Sequence, residues 1–210
     1  MSLSRPEARA TALRLALWLP ILLWLGWRWG WDYAHWFLPL YRDVLGAVLG
    51  GFRFADIEIV RSHEYLFRAA YTTARSLVVG GRVVSAGLDG YVQVPVYYAL
   101  THAIVLAAAA LAWPGLTWRG RAVRLLASLP VLLMLEALDV PLVMYGSIND
   151  AVMQTYAAQA YRIDRPVDWV TLLEGGGRSA LCIAAAFAAA WLHRSLAAGL
   201  GRIGHPRTAR

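Results

Sequence analysis

The sequence predicts an α+β membrane protein: four transmembrane helices, with a small antiparallel β subdomain inserted between helices 1 and 2 on the extracytoplasmic side. Three observations carry this expectation. The 210 residues are 59% hydrophobic, with a mean hydropathy of +0.49 and ten Trp. That is too apolar for an ordinary soluble domain, and indole rings favour the lipid headgroup region. Several apolar runs approach the roughly 20 residues needed to cross a bilayer. Between the first and second runs the pattern changes from helical spacing to alternation. The chain then divides into 1–38 (tail and first span), 39–94 (outer amphipathic segment and β subdomain) and 95–210 (three spans with their loops and tail).

Residues 1–14 form a basic tail with Arg5, Arg9 and Arg14, followed by the apolar run Leu15 to Trp27. Trp27, Arg28, Trp29 and Trp31 stand where small cleavage-site residues would be needed, so the run reads as an uncleaved anchor ending in an aromatic belt near Trp36. Pro20 lies inside it. From Pro39 to Phe54, the positions of Val44, Leu45, Val48 and Leu49 suit a short interfacial helix stopped by Gly50-Gly51.

Ile57, Ile59 and Arg61 alternate with Glu58 and Val60, and Tyr65 to Thr73 is also strand-like. Leu77 to Val79 and Arg82 to Ser85 flank Gly80-Gly81, a two-residue hairpin turn. Asp89-Gly90 reads as a turn before the strand Tyr91 to Val94. A sheet this small needs cover from the membrane surface or a partner. Its strand edges, with Ile57, Ile59, Tyr91, Val92, Gln93 and Val94, form the candidate docking segment for a peptide or partner.

The second span is read as Pro95 to Trp113, and the connector PGLTWRGRAVR carries Arg119, Arg121 and Arg124. The third span covers about Val123 to Tyr145, followed by a polar, partly helical outer loop to Asp168. The fourth runs from Trp169 to Leu192, before a tail with Arg194, Arg202, Arg207 and Arg210. All twenty basic residues are Arg. Ten of them lie in the two tails and the connector, where Glu7 is the only acid. Cytoplasmic loops are enriched in basic residues, so both termini are placed in the cytoplasm. The same distribution accounts for the pI near 10.0 without nucleic acid.

The third span carries Glu136 and Asp139 on one helix face. A carboxylate at the centre of a bilayer costs roughly 2.5 kcal/mol or more, so these acids call for partners. Counting residues from the helix ends puts Asp139, Arg178 and His102 at similar depth, with Glu136 and Cys182 slightly deeper. The ordinary reading is a structural polar hub of Glu136, Asp139, Arg178 and His102 that pins the helices together. The alternative is a polar pocket open to the outside, serving a transporter of protons or a small ligand. Gly175-Gly176-Gly177 reads as a point of close helix packing, or else as a place where the helix end unwinds.

A third class is a membrane thiol transpeptidase. Cys182, His102 and Arg178 supply a nucleophile, a base and an oxyanion partner, similar in kind to the Cys, Arg and His of exosortases. Against it, Cys182 lies in the apolar run LCIAAAF, where a thiol is inert, and the spans are too few for that family. His35, His63, His102, His193 and His205 lack metal-ligand spacing, so no metal or cofactor is implied.

The layout resembles the exosortase H-associated membrane proteins over most of the chain. The likeness rests on an anchor ending Trp36-Phe37-Leu38-Pro39, a β-rich outer insert, the VQVPVYYAL run from Val92 to Leu100, and the Trp113-Pro114 exit before an Arg-rich connector. The acidic stretch from Glu136 to Asp139 also falls where that family has polar residues. The Asn and Gly of the family's helix start are absent, with Gln93 and Ala99 nearby instead. The resemblance implies an accessory protein of a protein-sorting system in the inner membrane of Gram-negative bacteria, and the leading reading is non-enzymatic. Its partners would be the bilayer, an exosortase and the substrates that exosortase sorts, with no catalytic residue to carry over.

Overall fold

A computed structural model describes residues 4–48, 50–79, 81–156 and 169–203. The part of the expected outer loop at 157–168, and tail residues Arg207 and Arg210, lie outside the described residues. Helix α1 (Arg5–Val48) is a single run of 44 residues that contains both Pro20 and Pro39. At the helical rise it is roughly 66 Å long, about twice the hydrocarbon thickness of a bilayer. The separate interfacial helix expected after Pro39 is therefore not present; the anchor continues through it. The cause is tertiary: Ala34, Tyr41 and Leu45 are fully buried along one stripe of the extension, which carries the helix past the proline.

Strands β1 (Phe52–Arg61), β2 (Tyr65–Thr73) and β5 (Asp89–Pro95) form an antiparallel sheet in the order β1-β2-β5. Strands β3 (Leu77–Val79) and β4 (Arg82–Val84) form a separate hairpin, with Gly81 at φ 78° in its turn. β1 begins at Phe52 rather than near Ile57, because a bulge between Phe54 and Asp56 interrupts the alternation read from sequence. The expected turn at Asp89-Gly90 is also displaced. Both residues pair within the sheet, opposite Thr72 and Tyr71, and the turn falls earlier at Gly87, φ 84°. Gly90 is needed for another reason: a Cβ there would come within 2.6 Å of the Tyr71 ring.

One face of the sheet takes cover from the chain's own helices. Phe67, Val92 and Val94 bury themselves with Tyr41 and Leu45 of α1 and with Val140, Met144 and Ile148. Arg42 on α1 bonds Asp56 on β1 and ties helix to sheet. The Ile57 backbone N–H and the Arg42 guanidinium hold the Asp56 carboxyl below its ordinary range.

Helix α2 (Tyr97–Ala112) is a shorter apolar helix. It starts after Pro95, which belongs to β5, and it stops because Trp113 precedes Pro114 and turns extended, at ψ 132°. Gly26 and Gly30 let α1 approach it closely; a Cβ on Gly30 would stand 2.8 Å from Leu100. Helix α3 (Trp118–Leu138) is capped by Thr117, whose hydroxyl accepts from the Gly120 N–H at 3.2 Å.

The third expected span is not one helix ending at Tyr145. It breaks at Asp139 and resumes as α4 (Val140–Tyr156), which rises beside the sheet. Pro141 explains the break, since its ring clashes with the carbonyl four residues back and it offers no N–H. The last stretch comprises the short α5 (Trp169–Leu172), a π-helical turn over Leu173–Gly177 and α6 (Arg178–Ile203). Gly176 adopts φ 109°, and the space around the Cβ positions of Gly175 and Gly176 is open, so the helix start unwinds there. Gly177 packs closely instead: a Cβ on it would stand 2.5 Å from the Leu172 carbonyl oxygen of α5. Three helical stretches, Arg5–Val48, Trp118–Tyr156 and Val170–Ser195, are long and apolar enough to cross a membrane.

Candidate functional site

Pro141 opens the helix immediately below itself, which leaves Asp139 at the break and Glu136 at the end of α3, one turn away. The unwound turn at Gly176 starts α6 at Arg178. These two irregularities place an acid and a base face to face. Arg178 Nε donates to Asp139 Oδ2 at 2.6 Å and Arg178 Nη2 to Oδ1 at 3.2 Å, a two-pronged pair. His102 of α2 lies between the acids: Nδ1 is 3.3 Å from Glu136 Oε1, and Nε2 is 2.8 Å from Asp139 Oδ2. The second contact has ion-pair distance without hydrogen-bond alignment.

All four residues expected in the polar hub are therefore in direct contact. Glu136 and His102 have no exposed surface and Asp139 has 1%. Three tyrosines extend the cluster beyond the sequence-based reading. Tyr33 donates to Glu136 Oε1 at 2.8 Å, and Tyr41 donates to Oε2. The Arg178 guanidinium lies over the Tyr98 ring, 3.5 Å from its centroid, and the Tyr98 hydroxyl donates to Glu174 at 3.1 Å. Tyr33, Phe37 and Tyr41 are spaced by four along α1 with their rings in sequence, a one-face pattern that marks an inward aromatic stripe. The aromatic belt read up to Trp36 takes in Tyr33 as lipid-facing, and Tyr41 lies beyond it in the segment read as a separate interfacial helix.

The electrostatics follow from this geometry. Each carboxyl oxygen of the pair meets a polar partner: Tyr33 and His102 at Glu136 Oε1, Tyr41 at Oε2, and the Arg178 guanidinium at both oxygens of Asp139. That set of partners makes the burial of two acids tolerable.

The thiol arrangement is not assembled. Cys182 is 1% exposed, and both ring nitrogens of His102 face carboxylates, leaving neither free to activate a thiol. The docking segment is also only partly outward. Ile57, Val92 and Val94 point into the core and Ile59 is half-buried, because alternate residues of a strand face opposite sides. Tyr91 and Gln93 face out, and Arg68 lies over the Tyr91 ring at 4.4 Å.

Two clefts lie elsewhere. One, of about 500 Å³, opens between α1 and the β1–β2 hairpin beside Trp31, Arg61, His63 and Tyr97. The other, of about 470 Å³, lies under β3 beside Leu77, Tyr145 and Asn149. The polar hub borders neither. Comparison of the chain with protein-family models, with curated proteins and with solved structures finds no match.

Proposed function

We propose that this chain is a multi-span inner-membrane protein of non-enzymatic, scaffolding function, and that it serves an exosortase-type protein-sorting system. Its apolar helices would anchor it, both termini would face the cytoplasm, and the β subdomain would stand outside. The observation that carries the scaffold reading is a division of labour. The hub directs its hydrogen-bonding groups at one another in a sealed interior, whereas the outer hairpin leaves Val78 and Val83 76% and 69% exposed. These two valines are paired across β3 and β4 and form an apolar spot on the hairpin. Apolar side chains kept in water on a short hairpin suit contact with another protein. The sorting role itself rests on the family resemblance.

Affinity capture from native membranes in mild detergent tests this. The wild-type chain should recover an exosortase or one of its sorted substrates, and Val78→Asp with Val83→Asp should lose that recovery while the protein accumulates normally. Recovery of neither class by the wild type would sink the sorting role. Equal recovery by the double variant would remove the hairpin as its contact.

A transport reading draws on one observation, the imidazole of His102 set between two carboxylates as a proton relay would need. It predicts that Glu136→Gln abolishes a pH-driven flux in proteoliposomes, and an unchanged flux would reject it.

A further inference from the structure

The connector end of the molecule holds charges that the hub does not use. Arg121 and Arg124 lie three residues apart on one face of α3. Arg124 is only 3% exposed, yet among the described residues no acceptor meets its Nε or Nη1. Arg121 Nε and His193 Nδ1 are buried and unmet in the same way. Buried polar groups are nearly always satisfied, so several orphaned donors in one place call for a missing acceptor.

The surroundings narrow down what that acceptor is. Trp113 covers one face of the Arg124 guanidinium, whose carbon is 4.2 Å from the ring centroid, so hydrogen bonds must leave from its edge. Arg194 of α6 stands within charge range of both Arg124 and His193, which adds to the positive field. The positive end of the α3 dipole reinforces it. Glu7, the acid of this end of the sequence, has its carboxylate taken by the Ser4 N–H and hydroxyl. No carboxylate of the described residues at this end is left to pair with these donors, and an anion from outside the chain would supply the acceptor they lack.

We infer that Arg121, Arg124 and His193 bind the phosphate diester of an anionic phospholipid, with Arg124 as its anchor. A guanidinium edge matches two phosphate oxygens, and basic pockets between spanning helices at the cytoplasmic face suit acidic headgroups. Along α3 from this point, Val123, Leu126 and Leu129 are exposed and apolar, providing a surface for acyl chains. Trp18 stacks on Trp118 at 6.2 Å at the same end, the position of an interfacial belt. The inference rests on the membrane reading above.

Native mass spectrometry of the full chain in mild detergent tests it, with phosphatidylglycerol and phosphatidylcholine as probes. The wild type should retain phosphatidylglycerol preferentially. Arg124→Gln should weaken that binding roughly tenfold, as expected for loss of a charge-assisted hydrogen bond. Arg119→Gln, an exposed change on the same connector, should not weaken it. Equal affinity of the wild type for both lipids overturns the site even if the Arg124 variant fails to fold, and so does undiminished binding by a folded variant. Inorganic phosphate that raises the melting temperature as much as the lipid does would show a soluble phosphate ligand and overturn the lipid assignment. Alkaline carbonate extraction separates the two levels. Release from membranes refutes the membrane reading, whereas a retained chain with no headgroup preference refutes this site alone.

Discussion

Asp139 accepts two hydrogen bonds from Arg178 and faces His102, so it neutralises charge on two helices from one helix break. Asp139→Asn keeps the shape and removes the charge, leaving Arg178 without its counterion, while His102 still faces Glu136. Breaking a buried pair from one side costs about 3–5 kcal/mol. The variant should therefore melt well below the wild type in the same detergent. Replacing both sides, as in Asp139→Leu with Arg178→Met, should recover much of that loss, because an apolar pair leaves no orphaned charge. A single variant that melts with the wild type would show that the pair contributes nothing. The four ionisable members of the hub were legible from sequence because depth along apolar helices is a simple count. Tyr33, Tyr41 and Tyr98 were not: an amphipathic ring suits both a headgroup belt and a buried carboxylate, and only tertiary packing decides between them.

Helix breaks set the positions of Asp139 and Arg178, whereas His102 and Glu136 lie within helices. Gly176 at φ 109° turns the chain so that α6 begins with Arg178 beside Asp139. An L residue in left-handed backbone costs roughly 1–2 kcal/mol. Gly176→Ala should therefore lower the melting temperature and loosen the Arg178–Asp139 contact, whereas Gly175→Ala, with ordinary φ and open space, should be close to neutral. Equal melting of the two variants would argue against the turn as a positioning device. Alternation in β2 was legible because alternate residues bury on one face. Two prolines misled in opposite directions: Pro39 sits inside a helix held by its buried stripe, while Pro141 ends one. Local propensity is the same for both, and the packing that overrides it is not written in the local sequence.

At the scale of the whole molecule, charge and aromatic placement define an axis. Trp18 meets Trp118 at one end, and at the helical rise Trp18 to Trp36 covers about 27 Å, near the roughly 30 Å of a hydrocarbon core. On this axis the hub lies directly under the sheet, and the orphaned arginines lie at the opposite end. The ten-Arg asymmetry is the basis of the proposed direction, with the sheet outside. Labelling with a membrane-impermeant maleimide tests that direction with little background, because the one native thiol, Cys182, is 1% exposed. Val78→Cys, on the outer hairpin, should react in intact spheroplasts. Arg119→Cys, exposed on the connector, should react only once the membrane is opened. The reverse pattern would invert the topology, and reaction of both before opening would mean that the apolar helices do not separate two compartments. A shallow hub beneath a folded cap follows from the first pattern alone, because only that orientation puts the exposed valines where an exported protein could reach them.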